Sequence, residues 1–189
     1  KNAFSSDLTE LTAVKKQVLV ERHLISRELA AKAVGSAAVM NRKQTICVMV
    51  NEEDHLRMQS IKAGLSLSEA FKMIDKVDSK IEVGLDYAFD NKYGYLTACP
   101  TNLGTGMRAS SMLHLPALVL SDQINKVIQA VNKIGLAVRG LYGEGTEALG
   151  NLFQVSNQHT LGESEEEIIA RLEKVIKQII SDLYSKIGI

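Results

Sequence analysis

An α+β fold, a mostly antiparallel β-sheet flanked by helices, is predicted by three features of these 189 residues. Short β-like runs follow one another without intervening helices, which favours antiparallel pairing because parallel strands need long crossovers. Other segments carry a clear helical period. The length suits a single domain, enough to bury about 70% of the surface that the unfolded chain exposes.

In chain order, residues 9–24 read as a helix of less regular period. Two apolar runs, 37–40 and 46–51, flank the polar stretch Asn41 to Gln44, which reads as a hairpin turn. A helix is predicted from Leu67 to about Lys80, with Leu67, Ala70, Phe71, Ile74 and Val77 inward and Ser66 and Glu69 spaced as a capping box. Residues 94–97 and 109–115 read as strands. Ile124, Val127, Ile128, Val131 and Ile134 line one face of a helix over 122–134, with Ser121 as its cap and Gly135 as its stop. Strands follow at 136–140 and 151–155. The most regular helix is 165–183, where Ser164 and Glu167 form a second capping-box spacing ahead of an Ile/Leu/Val stripe.

Composition excludes several classes of function. The 22 basic residues balance 22 acidic ones, which argues against a general nucleic-acid or anionic-membrane binder. No apolar run approaches the roughly 18 residues of a membrane span, and KNAFSSDLTE has no signal pattern, so the chain reads as soluble and cytoplasmic. Cys47 and Cys99 match neither a disulfide framework nor a zinc spacing; both read as free thiols, Cys47 as a small core residue.

Three segments could carry chemistry. NEEDHLR, Asn51 to Arg57, follows the apolar run ICVMV and concentrates three carboxylates, a histidine and an arginine at a strand end. Taken alone, such a charge run usually faces water. In CPTNLGTGMR, Cys99 to Arg108, two glycines let backbone N–H groups approach a ligand while Arg108 supplies charge. It is neither a Walker loop nor a GxGxxG turn, and a lone thiol such as Cys99 is more often core than reactive. RGLYGEG pairs Arg139 with Glu144 across glycines; taken alone it suits a turn with an exposed ion pair.

Together these segments resemble the phosphagen (ATP:guanido) kinases. Within that family, LTACPTNLGTGMRASSMLHLPALVL and RGLYGEGTEALGNLFQVSNQHTLG are most similar to the bacterial protein-arginine kinases. The resemblance covers residues 23 to 180 and implies the phosphagen kinase, glutamine synthetase-like, catalytic fold. It also implies in-line transfer of the γ-phosphoryl group of ATP, with Mg2+ arriving on the nucleotide, to arginine side chains of other proteins. By resemblance Glu53 and Glu144 hold the guanidinium and one acts as base, while Cys99 faces it. Arg57, Arg108 and Arg139 would meet ATP phosphates, and His23 and Ser110 the nucleotide. Met112 and Gln154 depart from the histidine and aspartate of the small-molecule arginine kinases.

The family's S-x-R-x-R segment is missing among the seven arginines, and Lys1 is not a methionine. The chain is therefore expected to be one partial catalytic domain, without the C-terminal helical domain of the bacterial enzymes, and poorly active in isolation. A homodimer of the full-length parent stays open. So do two alternatives: a kinase for free arginine or another small guanidine, and a non-catalytic nucleotide-binding regulatory fragment.

Overall fold

A computed structural model of the chain describes residues 3–32, 34–140 and 149–187. The chain divides into two compact units, Lys1–Tyr87 and Ala88–Ile189. Every pairing within the three sheets is antiparallel, so the expected mixed α+β class is borne out.

The first unit holds a four-stranded sheet in the order β1 (Ala3–Asp7), β2 (Ala37–Asn41), β3 (Ile46–Val50) and β4 (Leu56–Ser60). Alternation along β2 and β3 buries Ala38, Met40, Cys47 and Met49, which join Leu8, Val20, Leu24, Ile25 and Leu29 in this unit's core. The expected hairpin turn is present: Asn41 Oδ1 accepts from the N–H groups of Thr45 at 2.9 Å and Ile46 at 3.1 Å.

Helix α1 (Ala13–Glu21) is shorter than expected because the chain reverses at His23, whose φ of 54° occupies the left-handed position that often ends a helix. The reversal sends Leu24 and Ile25 into the core and leads to α2 (Arg27–Ala31), capped by Ser26. Helix α3 (Leu67–Glu82) lies along β4 with its apolar stripe half-buried. The expected box at its start does not form: Ser66 makes no cap bond and turns its hydroxyl to the Ala63 carbonyl at 3.2 Å.

In the second unit a hairpin of β5 (Phe89–Asp90) and β6 (Gly94–Tyr95) precedes a three-stranded sheet. Its order is β7 (Ser110–His114), β9 (Leu152–Asn157), β8 (Leu136–Arg139). Between β7 and β8 lie α4 (Pro116–Leu120) and α5 (Ile124–Lys133). Ser121 closes α4 instead of capping α5, which starts from Gln123; Gly135, at φ 76°, is the expected stop. Helix α6 (Glu165–Ile187) packs on β9 and buries Ile168, Ile169, Leu172, Ile176 and Ile179. Its capping box is formed, with Ser164 N–H on Glu167 at 2.8 Å and Glu167 N–H on Ser164 Oγ at 3.3 Å. Among the described residues no helix is long and apolar enough to cross a membrane.

The segment ahead of β7 is stapled to the chain beyond β9. Thr105 N–H donates to the Thr160 carbonyl at 2.9 Å, and the Thr160 hydroxyl lies 2.6 Å from the Leu103 carbonyl and 3.1 Å from that of Thr101. Gly104 sits at the crossing with φ 99°, and a Cβ there would lie 2.2 Å from the Thr160 carbonyl oxygen. Gly104→Ala is therefore expected to lower stability by about 2 to 4 kcal/mol through strain and overlap. Urea unfolding measures it, and an unchanged midpoint would mean that the loop shifts without cost.

Candidate functional site

In the first unit the chain leaves β3 at Val50 and returns as β4 at Leu56. Asn51 makes the turn with φ 55°, a left-handed conformation that asparagine tolerates. Its amide donates to the Gly35 carbonyl at 2.6 Å, and its N–H bonds the His55 carbonyl at 2.9 Å.

This turn separates the two neighbouring glutamates. Glu53 is exposed, whereas Glu52 is only 5% exposed. Glu52 Oε1 takes the Arg57 guanidinium at 2.8 Å, and its Oε2 takes the Glu53 N–H. Burial alone would raise the Glu52 pKa; the Ser26 hydroxyl, the Arg57 charge and the Glu53 N–H outweigh it and hold the carboxyl below its ordinary value. Ser26 also accepts the Leu29 N–H at 3.0 Å as the cap of α2, so one hydroxyl serves helix and carboxylate.

Sequence reasoning singled out Glu53 and Arg57 and passed over Glu52. The left-handed turn at Asn51 breaks the alternation that buries Cys47 and Met49, so no periodicity marks Glu52 as an inward residue. His23 ends α1, and its carbonyl accepts from the Gln59 amide.

In the second unit Cys99 and Arg108 are joined through Thr101. Cys99 Sγ lies 3.0 Å from Thr101 Oγ1, which lies 3.2 Å from Arg108 Nη2. The oxygen accepts from the guanidinium, and between the hydroxyl and the thiol either group can be the donor. Arg108 is also held by Asn102 Oδ1, from Nε and Nη2, both at 3.2 Å, and by the Asn157 carbonyl at 3.1 Å.

Asn157, fully buried, frames this segment. Its Oδ1 accepts the Ala109 N–H at 2.8 Å, while its Nδ2 donates to the carbonyls of Met107 at 3.0 Å and His159 at 2.9 Å. Nothing in the spacing of the sequence pointed to it.

Register sets the remaining residues. Met112 pairs with Gln154, and Gln154 with Arg139; Ser110 pairs with Ser156, and Ser156 with Ala137. Side chains alternate faces, so Ser110, Met112, Gln154 and Arg139 share one face of the sheet, where the Gln154 amide donates to Ser110 Oγ at 2.9 Å. Val155, Phe153 and Leu136, on the opposite face, are buried. Glu144 belongs to the connection between β8 and β9 and lies outside the described residues. Cys47 is the expected core thiol, 0% exposed, its pKa pushed up to about 11 by burial.

The Glu52 network predicts an acid-sensitive contribution to stability. Because its folded pKa lies below the ordinary value, the contribution is complete above the unfolded pKa, about 4.3, and is lost as pH falls through the folded pKa. Glu52→Gln is expected to be less stable at pH 7 and to lose less of its stability between about pH 5 and pH 3. Denaturant unfolding across that range tests it; parallel curves for the two proteins would refute it.

Comparison with known proteins agrees with this architecture. The family model described as ATP:guanido phosphotransferase, C-terminal catalytic domain, matches residues 2–182. A protein-arginine kinase of Geobacillus sp. (strain WCH70) is 55% identical over 174 residues, which cover 92% of this chain and 48% of the relative. One from Clostridium acetobutylicum is 57% identical over 162 residues, covering 86% of this chain and 48% of the relative. The chain thus spans about half the length of these curated relatives. Among solved structures, the duplicated taurocyamine kinase of Schistosoma mansoni with bound transition state analog components superposes with a TM-score of 0.84 at 29% identity, over 95% of this chain and 26% of that one. A lombricine kinase gives 0.82 at 26% identity, over 99% of this chain and 55% of that one. A match over nearly every residue, with the antiparallel α+β fold to go with it, means that the chain belongs to the ATP:guanido phosphotransferase family.

Proposed function

We infer that the protein carrying this chain transfers the γ-phosphoryl group of ATP to the guanidinium of arginine residues in proteins. Identity of 55% to relatives named protein-arginine kinase carries the choice of substrate. The chemistry is supported by an exposed carboxylate at Glu53, next to a buried one that orients Arg57, and by a thiol linked to Arg108.

A guanidinium, with a pKa above about 12, is not a nucleophile until it loses a proton. In this reading Glu53 and Glu144 hydrogen-bond its edges, fix one nitrogen in line with the γ-phosphorus, and one of them takes the proton. A nitrogen–phosphorus bond forms as the bond to the ADP oxygen breaks. Cys99 adds a further contact to the guanidinium. Arg57, Arg108 and Arg139 meet the charge on the phosphates, with Mg2+ carried in as part of the nucleotide substrate. His23 and Ser110 serve the nucleoside end. A cytoplasmic setting fits a consumer of ATP whose two cysteines, Cys47 and Cys99, are free thiols.

A second reading, a kinase of a small guanidine, is favoured by the fold shared with taurocyamine and lombricine kinases, but at 29% and 26% identity. The deciding experiment supplies radiolabelled ATP and Mg2+ to the full gene product with either free arginine or an unfolded arginine-bearing protein. Phosphoarginine is expected in the protein. Glu53→Gln and Glu144→Gln are each expected to slow its formation by about 100-fold or more. Undiminished transfer in both variants would refute the assignment of the carboxylates, and label in free arginine alone would favour the second reading.

A further inference from the structure

Helix α2 is only five residues long, yet both of its ends reach the turn that carries Glu53. At its start the Ser26 hydroxyl supports the Glu52 carboxylate. At its other end the ammonium of Lys32, the C-cap residue, lies 2.8 Å from the Asn51 carbonyl and closer still to that of Glu52.

The consequence falls on one peptide group. The link between Glu52 and Glu53 presents its carbonyl to Lys32 and its N–H to the Glu52 carboxylate. Each bond is charge-assisted, one through a cation and one through an anion, and such bonds are shorter and stronger than neutral ones. A peptide plane held at both its acceptor and its donor cannot rotate without breaking one of them. That plane sets the direction in which the next side chain, the exposed Glu53, leaves the backbone.

We propose that Lys32 is a positioning residue for Glu53, and that α2 works as a bracket gripping the turn by its two ends. The proposal rests on the reading of Glu53 as the carboxylate that holds the guanidinium. Lys32 is exposed and lies 19 positions from Asn51, and its contacts are to backbone atoms, so it makes no contribution to the buried core. Its effect is on geometry, to which in-line transfer is acutely sensitive: a misplacement of about 1 Å can cost on the order of 100-fold in rate.

The test compares Lys32→Met, Lys32→Arg and Lys32→Gln in the full gene product, with Glu53→Gln as reference. Phosphoarginine formation from labelled ATP and an arginine-bearing protein is read alongside thermal unfolding. Lys32→Met is expected to lower kcat per folded molecule by about tenfold or more, with KM for ATP changed by less than about twofold. Lys32→Arg, which keeps the charge and several donors, is expected to recover most of the loss. A merely structural lysine would instead shift the unfolding temperature and leave kcat per folded molecule unchanged, and that result would overturn the proposal. Should Lys32→Met fail to fold, undiminished kcat in Lys32→Gln would overturn it equally. Loss of activity in Glu53→Gln with none in the lysine variants would refute the bracket alone. Full activity in Glu53→Gln would refute the reading of Glu53 and the bracket with it.

Discussion

A carboxylate taken out of water imposes the strictest condition on the first unit. Burying an ionised group costs several kcal/mol unless its oxygens find hydrogen bonds and opposite charge. Glu52 meets that condition with three partners drawn from different places: the cap of α2, the strand β4, and the peptide of its own neighbour. Each partner is thereby fixed in turn. The helix cannot move without uncapping the carboxylate, Arg57 cannot swing away without leaving a buried charge, and Glu53 inherits a set backbone direction. A buried residue thus holds the geometry of two neighbours that are exposed.

The second unit reaches a similar end without charge. Asn157 satisfies three backbone groups around Arg108 through its amide alone, and its carbonyl takes one of the arginine's own N–H groups. A neutral amide suits this place, because leaving any one of those buried groups unpaired costs about 1 to 3 kcal/mol while the amide carries no Born penalty. Thr101 then links the fixed arginine to Cys99, so the thiol's position follows from that of the guanidinium.

The antiparallel class was legible because strands such as 37–41 and 46–50 are too close in sequence for a crossover. The capping box at Ser164 and the stop at Gly135 were legible as local chemistry. Strand β4 was not, since LRMQS starts inside a charged run and has no β-branched residue. Short α4, PALVL, shows no period at five residues. Ser66 and Ser121 have the spacing of caps but lost that role to local turns. Among the candidate residues, Glu53, Cys99, Arg57, Arg108 and Arg139 stood out by type and company. Asn157 and Lys32 act through hydrogen bonds to backbone atoms, most of them distant in sequence, and Glu52 through Ser26, Arg57 and the N–H of its own neighbour; such bonds leave no imprint on composition or spacing.

The joint between β3 and β4 is constrained in length. Met49 pairs with Arg57 and Val50 with Leu56, so the connection has a fixed count of residues between a left-handed asparagine and the first pair of the ladder. A slip of the β3–β4 register by one residue would carry Arg57 to the other side of the sheet, away from Glu52. Most surface connections accept changes in length cheaply. This one is held in length as well as at Asn51 and Glu52, so a change in its residue count is expected to cost more than in an ordinary surface turn.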